Sequence, residues 1–128
     1  MKAFISIDME GICGVVREIE TDPGKGGEAY QQSRLLMTLE GNAAIEGCLK
    51  AGVTEVLIAD SHWNFDNLIP EELHEAATLL RGTPRGYAMV QDSTPPTMCR
   101  YSSGTTQRRA RRERSSITPT AERSPRSE

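Results

Sequence analysis

Ile5-Ser6-Ile7-Asp8-Met9-Glu10-Gly11-Ile12-Cys13-Gly14 decides how this chain is read. A short apolar run leaves the N-terminus, meets two acids one residue apart, and breaks into a glycine-punctuated loop. The apolar run predicts a buried first strand over Ala3 to Asp8. Residues two apart on an extended backbone point the same way, so Asp8 and Glu10 share a side at the strand's carboxyl end. In open α/β sheets that edge is where ligands bind. Two acids held side by side there form either a metal site or an electrostatic clash.

Working outward, Met9 to Gly27 reads as one long loop. Gly11, Gly14, Pro23-Gly24 and Gly26-Gly27 forbid a stable helix through it. A loop of about 19 residues is unusual in a compact domain and points to function. Solvated surface is the ordinary reading of its charges Glu18, Glu20, Asp22 and Lys25. Glu28 to Ala51 carries apolar residues at mostly helical spacing (Tyr30, Leu35, Met37, Ala44, Ile45, Leu49), with Cys48 on the same side. Gly41 and Gly47 weaken this helix; they imply either close packing on a sheet or a kink near Gly41. Gly52 supplies the left-handed cap. Thr54 to Asp60 holds the continuous apolar run Val56-Leu57-Ile58-Ala59, the mark of a strand covered on both faces.

Strand, helix, strand is a βαβ crossover, so the two strands run parallel and end on one edge. Asp60-Ser61-His62 therefore emerges beside Asp8 and Glu10. Carboxylates with one imidazole suit Zn²⁺ or another first-row divalent metal; an all-oxygen Mg²⁺ or Ca²⁺ site would not need His62. Asp60 would orient His62 or stabilise its loop. Ser61 lacks the base and the elbow motif of a nucleophile. Cys13 is a conceivable soft ligand, with a small buried residue as the plain alternative. Further on, a short helix is predicted over Pro70 to Ala77, with His74 on its surface beside Glu71, Glu72 and Glu75. Thr78 to Arg81 and Gly86 to Val90 are candidate third and fourth strands.

Composition divides the chain. Up to Asp92 there are seven Lys/Arg against fifteen Asp/Glu; from Ser93 there are eight arginines against three acids. The net −3 thus hides an acidic body and a basic tail. The tail is largely Arg, Ser, Thr and Pro, too poor in apolar residues to offset its chain entropy, so disorder is expected over residues 91–128. Five arginines lie within Arg108–Arg114, which raises weak, salt-dependent nucleic-acid binding as one reading; solvated charge is the more ordinary one, and nucleic acid is an unexpected partner. No signal-peptide pattern and no apolar stretch long enough for a membrane span occur, and Cys13, Cys48 and Cys99 form no CxxC. A cytoplasmic protein with free thiols, and no membrane partner, is expected.

At these residues the chain resembles the zinc-dependent D-aminopeptidase family. The resemblance rests on Ser6-Ile7-Asp8-Met9-Glu10-Gly11-Ile12-Cys13-Gly14, on Leu36-Met37-Thr38-Leu39-Glu40-Gly41-Asn42, and on Ala51 through His62, and continues through Asn67-Leu68, Leu73-His74, Arg81-Gly82 and Ala88-Met89. It spans residues 1–90. It implies an α/β fold built on a parallel βαβ sheet in three layers, incomplete here, with a dinuclear zinc centre. It also implies removal of N-terminal D-amino acids from short peptides, and a homo-oligomeric assembly. Asp8 would be the bridging ligand, with Glu10 and His62 as the other zinc ligands and Asp60 and Ser61 in support. The family's further ligands and its catalytic histidine should follow Ala88-Met89, but no histidine occurs after His74. No residue of this chain takes that catalytic role. The switch near Gln91 reads as out-of-frame translation of a GC-rich gene. A truncated or frameshifted, inactive family member is therefore expected, with residues 1–90 as the family body. The competing enzyme reading is a Mg²⁺-dependent phosphatase-like hydrolase with an acid pair after its first strand; Glu10 in place of a second Asp, and no evident downstream lysine motif, set it behind.

Overall fold

The computed structural model describes residues 1–86 and, for the backbone, 98–102. Four described strands form one parallel sheet in the order β3-β2-β1-β4: β1 is Lys2–Ile7, β2 Glu55–Asp60, β3 Ala77–Leu80 and β4 Met98–Ser102. The α-helix among them, α1 (Gly27–Lys50), makes the crossover from β1 to β2. The α/β class, the parallel pairing of β1 with β2, and the bounds of β1, α1, β2 and β3 agree with the sequence reading within a residue or two. The register sets Ile7 opposite Asp60, which carries the two strand ends to one edge. Strand order reverses on going from β1 to β4, so the loop after β1 leaves the sheet at its topological switch point.

The core lies between the sheet and α1. Ala3, Ile5 and Ile7 of β1 and Val56 and Ile58 of β2 meet Tyr30, Met37 and Ile45 of the helix. The buried helix positions are Tyr30, Ser33, Met37, Thr38, Gly41 and Ile45, a sound helical period in which half the residues are polar or lack a side chain. Those three carried no apolar signal in the sequence. Ser33 and Thr38 turn their hydroxyls back onto the carbonyls of Ala29 and Arg34, which removes the cost of burying them. Gly41 is present for proximity: a Cβ there would stand 2.9 Å from Ile58 Cδ1. Of the two readings of Gly41, close packing is the observed one; α1 runs unbroken from Gly27 to Lys50. At its end Gly52 has φ +85, and the Val53 N–H to Cys48 and Gly52 N–H to Leu49 bonds complete a Schellman cap.

Three expectations need correction. The helix predicted over Pro70 to Ala77 shrinks to a single 3-10 turn, Pro70–Glu72, because α1 takes over the satisfaction of this segment's backbone. Thr38 Oγ1 accepts the Ile69 N–H (3.1 Å), Asn42 Oδ1 the His74 N–H (2.8 Å), and Asn42 Nδ2 donates to the Glu72 carbonyl (2.8 Å). Extended backbone follows, with Leu73 at φ −78, ψ 142. Next, β4 falls inside the stretch read as a structureless tail. The second edge of β1 supplies the reason: its backbone groups need partners, and five residues of the tail pair with it in register. The rest of 91–128, and residues 87–90 of the candidate strand Gly86 to Val90, lie outside the described residues. Lastly, the loop from Met9 to Gly27 contains two 3-10 turns, Met9–Gly11 and Glu18–Thr21, and some of its charges have partners. Glu20 accepts the Val16 and Arg17 N–H groups (2.9 and 2.8 Å) and pairs with the Arg17 guanidinium. Asp22 accepts the N–H groups of Gly24 and Lys25.

Candidate functional site

Asp8 sits one residue beyond β1, at the entry to the first 3-10 turn, and that turn swings Glu10 back toward the strand end. His62 follows β2 by two residues. The three meet: His62 Nδ1 is 3.1 Å from Asp8 Oδ1 and 3.0 Å from Glu10 Oε2. One candidate ligand atom from each lies within 4.8 Å of the other two. His62 and Asp8 are buried, while Glu10 faces the opening with 42% of its side chain exposed.

The imidazole's other nitrogen decides what this cluster can hold. Nε2 lies 2.7 Å from the Thr21 carbonyl oxygen, a pure acceptor, so Nε2 carries a proton and donates. In the neutral ring Nδ1 is then a bare lone pair facing two carboxylate oxygens. Three acceptors cannot satisfy one another; a proton, on Nδ1 or on a carboxylate, or a metal ion must sit among them. Burial pulls the His62 pKa down, but the hydrogen bond to Asp8, the Thr21 carbonyl and the charges of Glu10 and Asp8 outweigh it and leave it raised. Burial pushes Asp8 up, and the hydrogen bonds from His62 and Glu10 overcome this and hold it low. Glu10 is raised, first by burial and then by its hydrogen bond to Asp8 and the charge there. Without a metal, the site gathers protons to do a cation's work. A histidine whose second N–H is anchored on a backbone carbonyl is the usual arrangement of a metal ligand, and the donor set fits zinc.

Asp60 stands behind the cluster and holds the loop that bears His62. Fully buried, its carboxylate accepts the N–H groups of Asn67 and Leu68 (both 2.6 Å) and of His62 (3.3 Å), and the Asn67 side-chain amide (2.9 Å). Asn67 Nδ2 also donates to the His62 carbonyl (2.5 Å), and the Tyr30 hydroxyl donates to Asn67 Oδ1 (2.5 Å). Arg85 closes the far side, donating to the carbonyls of Asp60 (2.6 Å), Leu80 (2.8 Å) and Gly82 (3.0 Å) with its guanidinium 4.2 Å above the Phe65 ring. Of the two roles considered for Asp60, loop stabilisation has the more contacts, and the weak bond to the His62 N–H gives it a share in orientation. Ser61 pairs with Ser6 through a 2.7 Å hydroxyl contact beneath the site.

Cys13 and His74 are not brought in. Cys13 is exposed, contrary to the buried alternative, with its N–H on Glu40 (3.0 Å); it does not join the group formed by Asp8, Glu10 and His62. His74 is half-buried against α1 and accepts the Ala76 N–H. The sequence offered no sign of the Thr21 carbonyl, since a backbone atom leaves none. Tyr30 was legible only as an apolar helix position.

Comparison with known proteins bears on the family and the fold. A family model described as D-aminopeptidase matches residues 1–96. A D-aminopeptidase of Bacillus subtilis (strain 168) is 42% identical over 91 residues, which are 71% of this chain and 32% of that protein. Among solved structures, the Zn-dependent D-aminopeptidase DppA from Bacillus subtilis, described as a self-compartmentalizing protease, superposes with a TM-score of 0.71 at 39% identity, over 79% of this chain and 37% of that one. The chain thus spans about a third of the length of the relatives it matches.

Proposed function

The chain belongs to the D-aminopeptidase family, and from that membership we propose that its body is the zinc-binding part of a D-aminopeptidase acting on short peptides that begin with a D-residue. The observation that carries the proposal is the convergence of His62 Nδ1 on Asp8 (3.1 Å) and Glu10 (3.0 Å), with Nε2 on the Thr21 carbonyl. Asp8, Glu10 and His62 would hold zinc. The ion, when bound, would polarise a peptide carbonyl and activate water. The protein's own contribution is positional. The Thr21 carbonyl keeps the ring in one tautomer, Asp60 and Asn67 fix the His62 backbone, and Glu10 leaves the cluster open on one side.

Three ligands suffice for one catalytic zinc; a second ion needs donors beyond this cluster. We therefore assign one zinc per chain, bound by these residues, and little or no peptidase activity for these 128 residues alone. The composition switch near Gln91 supports taking residues 1–90 as the family body and most of 91–128 as sequence in another frame, which the nucleotide sequence around codon 91 would test. Self-compartmentalization of the Bacillus subtilis relative supports a homo-oligomer for the whole protein. The unpatterned thiols support a cytoplasmic setting; among the described residues no helix is long and apolar enough to cross a membrane.

The test is metal content after dialysis, together with hydrolysis of a D-alanyl chromogenic amide. About one zinc per chain, lost in His62→Ala, is expected, with hydrolysis near background. Zinc retained equally by His62→Ala removes the ligand assignment. Mg²⁺-dependent phosphatase activity would favour the competing enzyme reading, and robust amide hydrolysis would overturn the inactivity.

A further inference from the structure

Trp63 is the sole tryptophan of the chain. It is 59% exposed, the one aromatic among the large exposed apolar side chains of the described residues. Its ring stands edge-on to the His62 imidazole, centroids 6.3 Å apart at 72°. Its backbone is left-handed, φ +49, and two residues on Phe65 is also left-handed, φ +62. Bulky residues rarely adopt this region, and strain of this kind persists only where the surroundings over-determine it. Here they do: the Phe65 N–H and the Asn67 amide both bond the His62 carbonyl, and Asp60 accepts the His62, Asn67 and Leu68 N–H groups. Heavily bonded residues on both sides thus hold a strained, solvent-facing indole against the cluster. Core packing does not explain it, since the ring is exposed. Turn chemistry does not either, since glycine or asparagine would suit that φ better.

We propose that Trp63 is a specificity-determining residue whose indole forms an apolar contact for a substrate side chain next to the bond the site acts on, favouring aromatic over small side chains. The proposal rests on the aminopeptidase reading above. An aromatic pair adds stabilisation beyond burial, enough for about a five- to tenfold preference. Rigid anchoring strengthens such a contact, because little freedom is lost when a ligand arrives.

The test uses the full zinc-loaded chain and two probes, D-Phe-Gly and D-Ala-Gly, with affinity read by calorimetry and by the emission of the sole tryptophan. D-Phe-Gly should bind about five- to tenfold tighter and shift that emission, while D-Ala-Gly shifts it little. Trp63→Ala should abolish the preference and leave zinc uptake unchanged; Trp63→Phe should keep part of it. An unchanged preference in Trp63→Ala, with both peptides still bound, removes the contact and leaves the aminopeptidase reading standing. Retained zinc with no binding of either peptide removes the substrate reading and the contact with it. Protection of the indole from acrylamide that grows with protein concentration would make Trp63 a contact between copies and overturn the proposal as well.

Discussion

Replacing Asp60 by Asn should cost more than any surface change, and the structure lets the cost be worked out. The Asp60 carboxylate accepts four N–H donors, from the His62, Asn67 and Leu68 backbone and the Asn67 amide, at full burial. Asparagine keeps one acceptor oxygen and turns an NH₂ group toward the remaining donors. About two buried N–H groups then lose their partner, each worth about 1–3 kcal/mol. The four bonds form one network, so the losses do not add in full; about 3 kcal/mol is expected. For a body of this size that corresponds to a fall in Tm of about 12–24 °C. The same loop carries His62, so zinc affinity should drop about 10–100-fold, the usual effect of losing a supporting partner. Urea unfolding in chelator measures the first quantity and zinc competition titration the second. Glu71→Gln, at an exposed position, serves as the control and should stay within about 0.5 kcal/mol. A D60N variant as stable as that control would refute the claim that Asp60 organises the loop.

Other perturbations separate the parts of the fold. In metal-free protein the raised His62 pKa contributes stability that is fully present below its ordinary value of 6.5 and is lost as pH rises through the folded value; melts in chelator should show this loss, and saturating zinc, which replaces the proton, should remove it. Zinc uptake should accordingly weaken on acidification and release protons, seen as a buffer-dependent heat in calorimetry. Arg85→Ala removes three carbonyl contacts and the stack on Phe65, and a loss of about 2 kcal/mol by denaturant unfolding is expected. Two glycines of α1 should respond in opposite directions: Gly47→Ala, with nothing within 4 Å of the new Cβ, should stabilise by about 0.5–1 kcal/mol, while Gly41→Val, pressed on Ile58, should destabilise by about 1–3 kcal/mol. Equal effects in thermal melts would contradict the close helix–sheet contact.

Much of this protein was legible in its sequence because the signals were local. The apolar runs of β1 and β2 and the length of α1 dictate a parallel βαβ unit, and parallel strands must end on one edge, so Asp8, Glu10 and His62 converge without further information. Spacing put the two acids on one side by extended-strand alternation, but β1 ends at Ile7, and it is the 3-10 turn Met9–Gly11 that returns Glu10 to Asp8. What only tertiary structure decided are pairings between residues far apart, made through groups that sequence does not display. The Thr21 carbonyl sets the tautomer of His62 from 41 residues away, and a backbone oxygen is the same in every residue. Thr38 and Asn42 dissolve a predicted helix by satisfying the backbone of 69–74, which propensity alone does not anticipate. The free edge of β1 recruits β4 from a stretch whose composition spoke against any strand. Sequence determined where Asp8, Glu10 and His62 meet; the packing around them determined which nitrogen faces the acids, and so why that meeting calls for a proton or a metal ion.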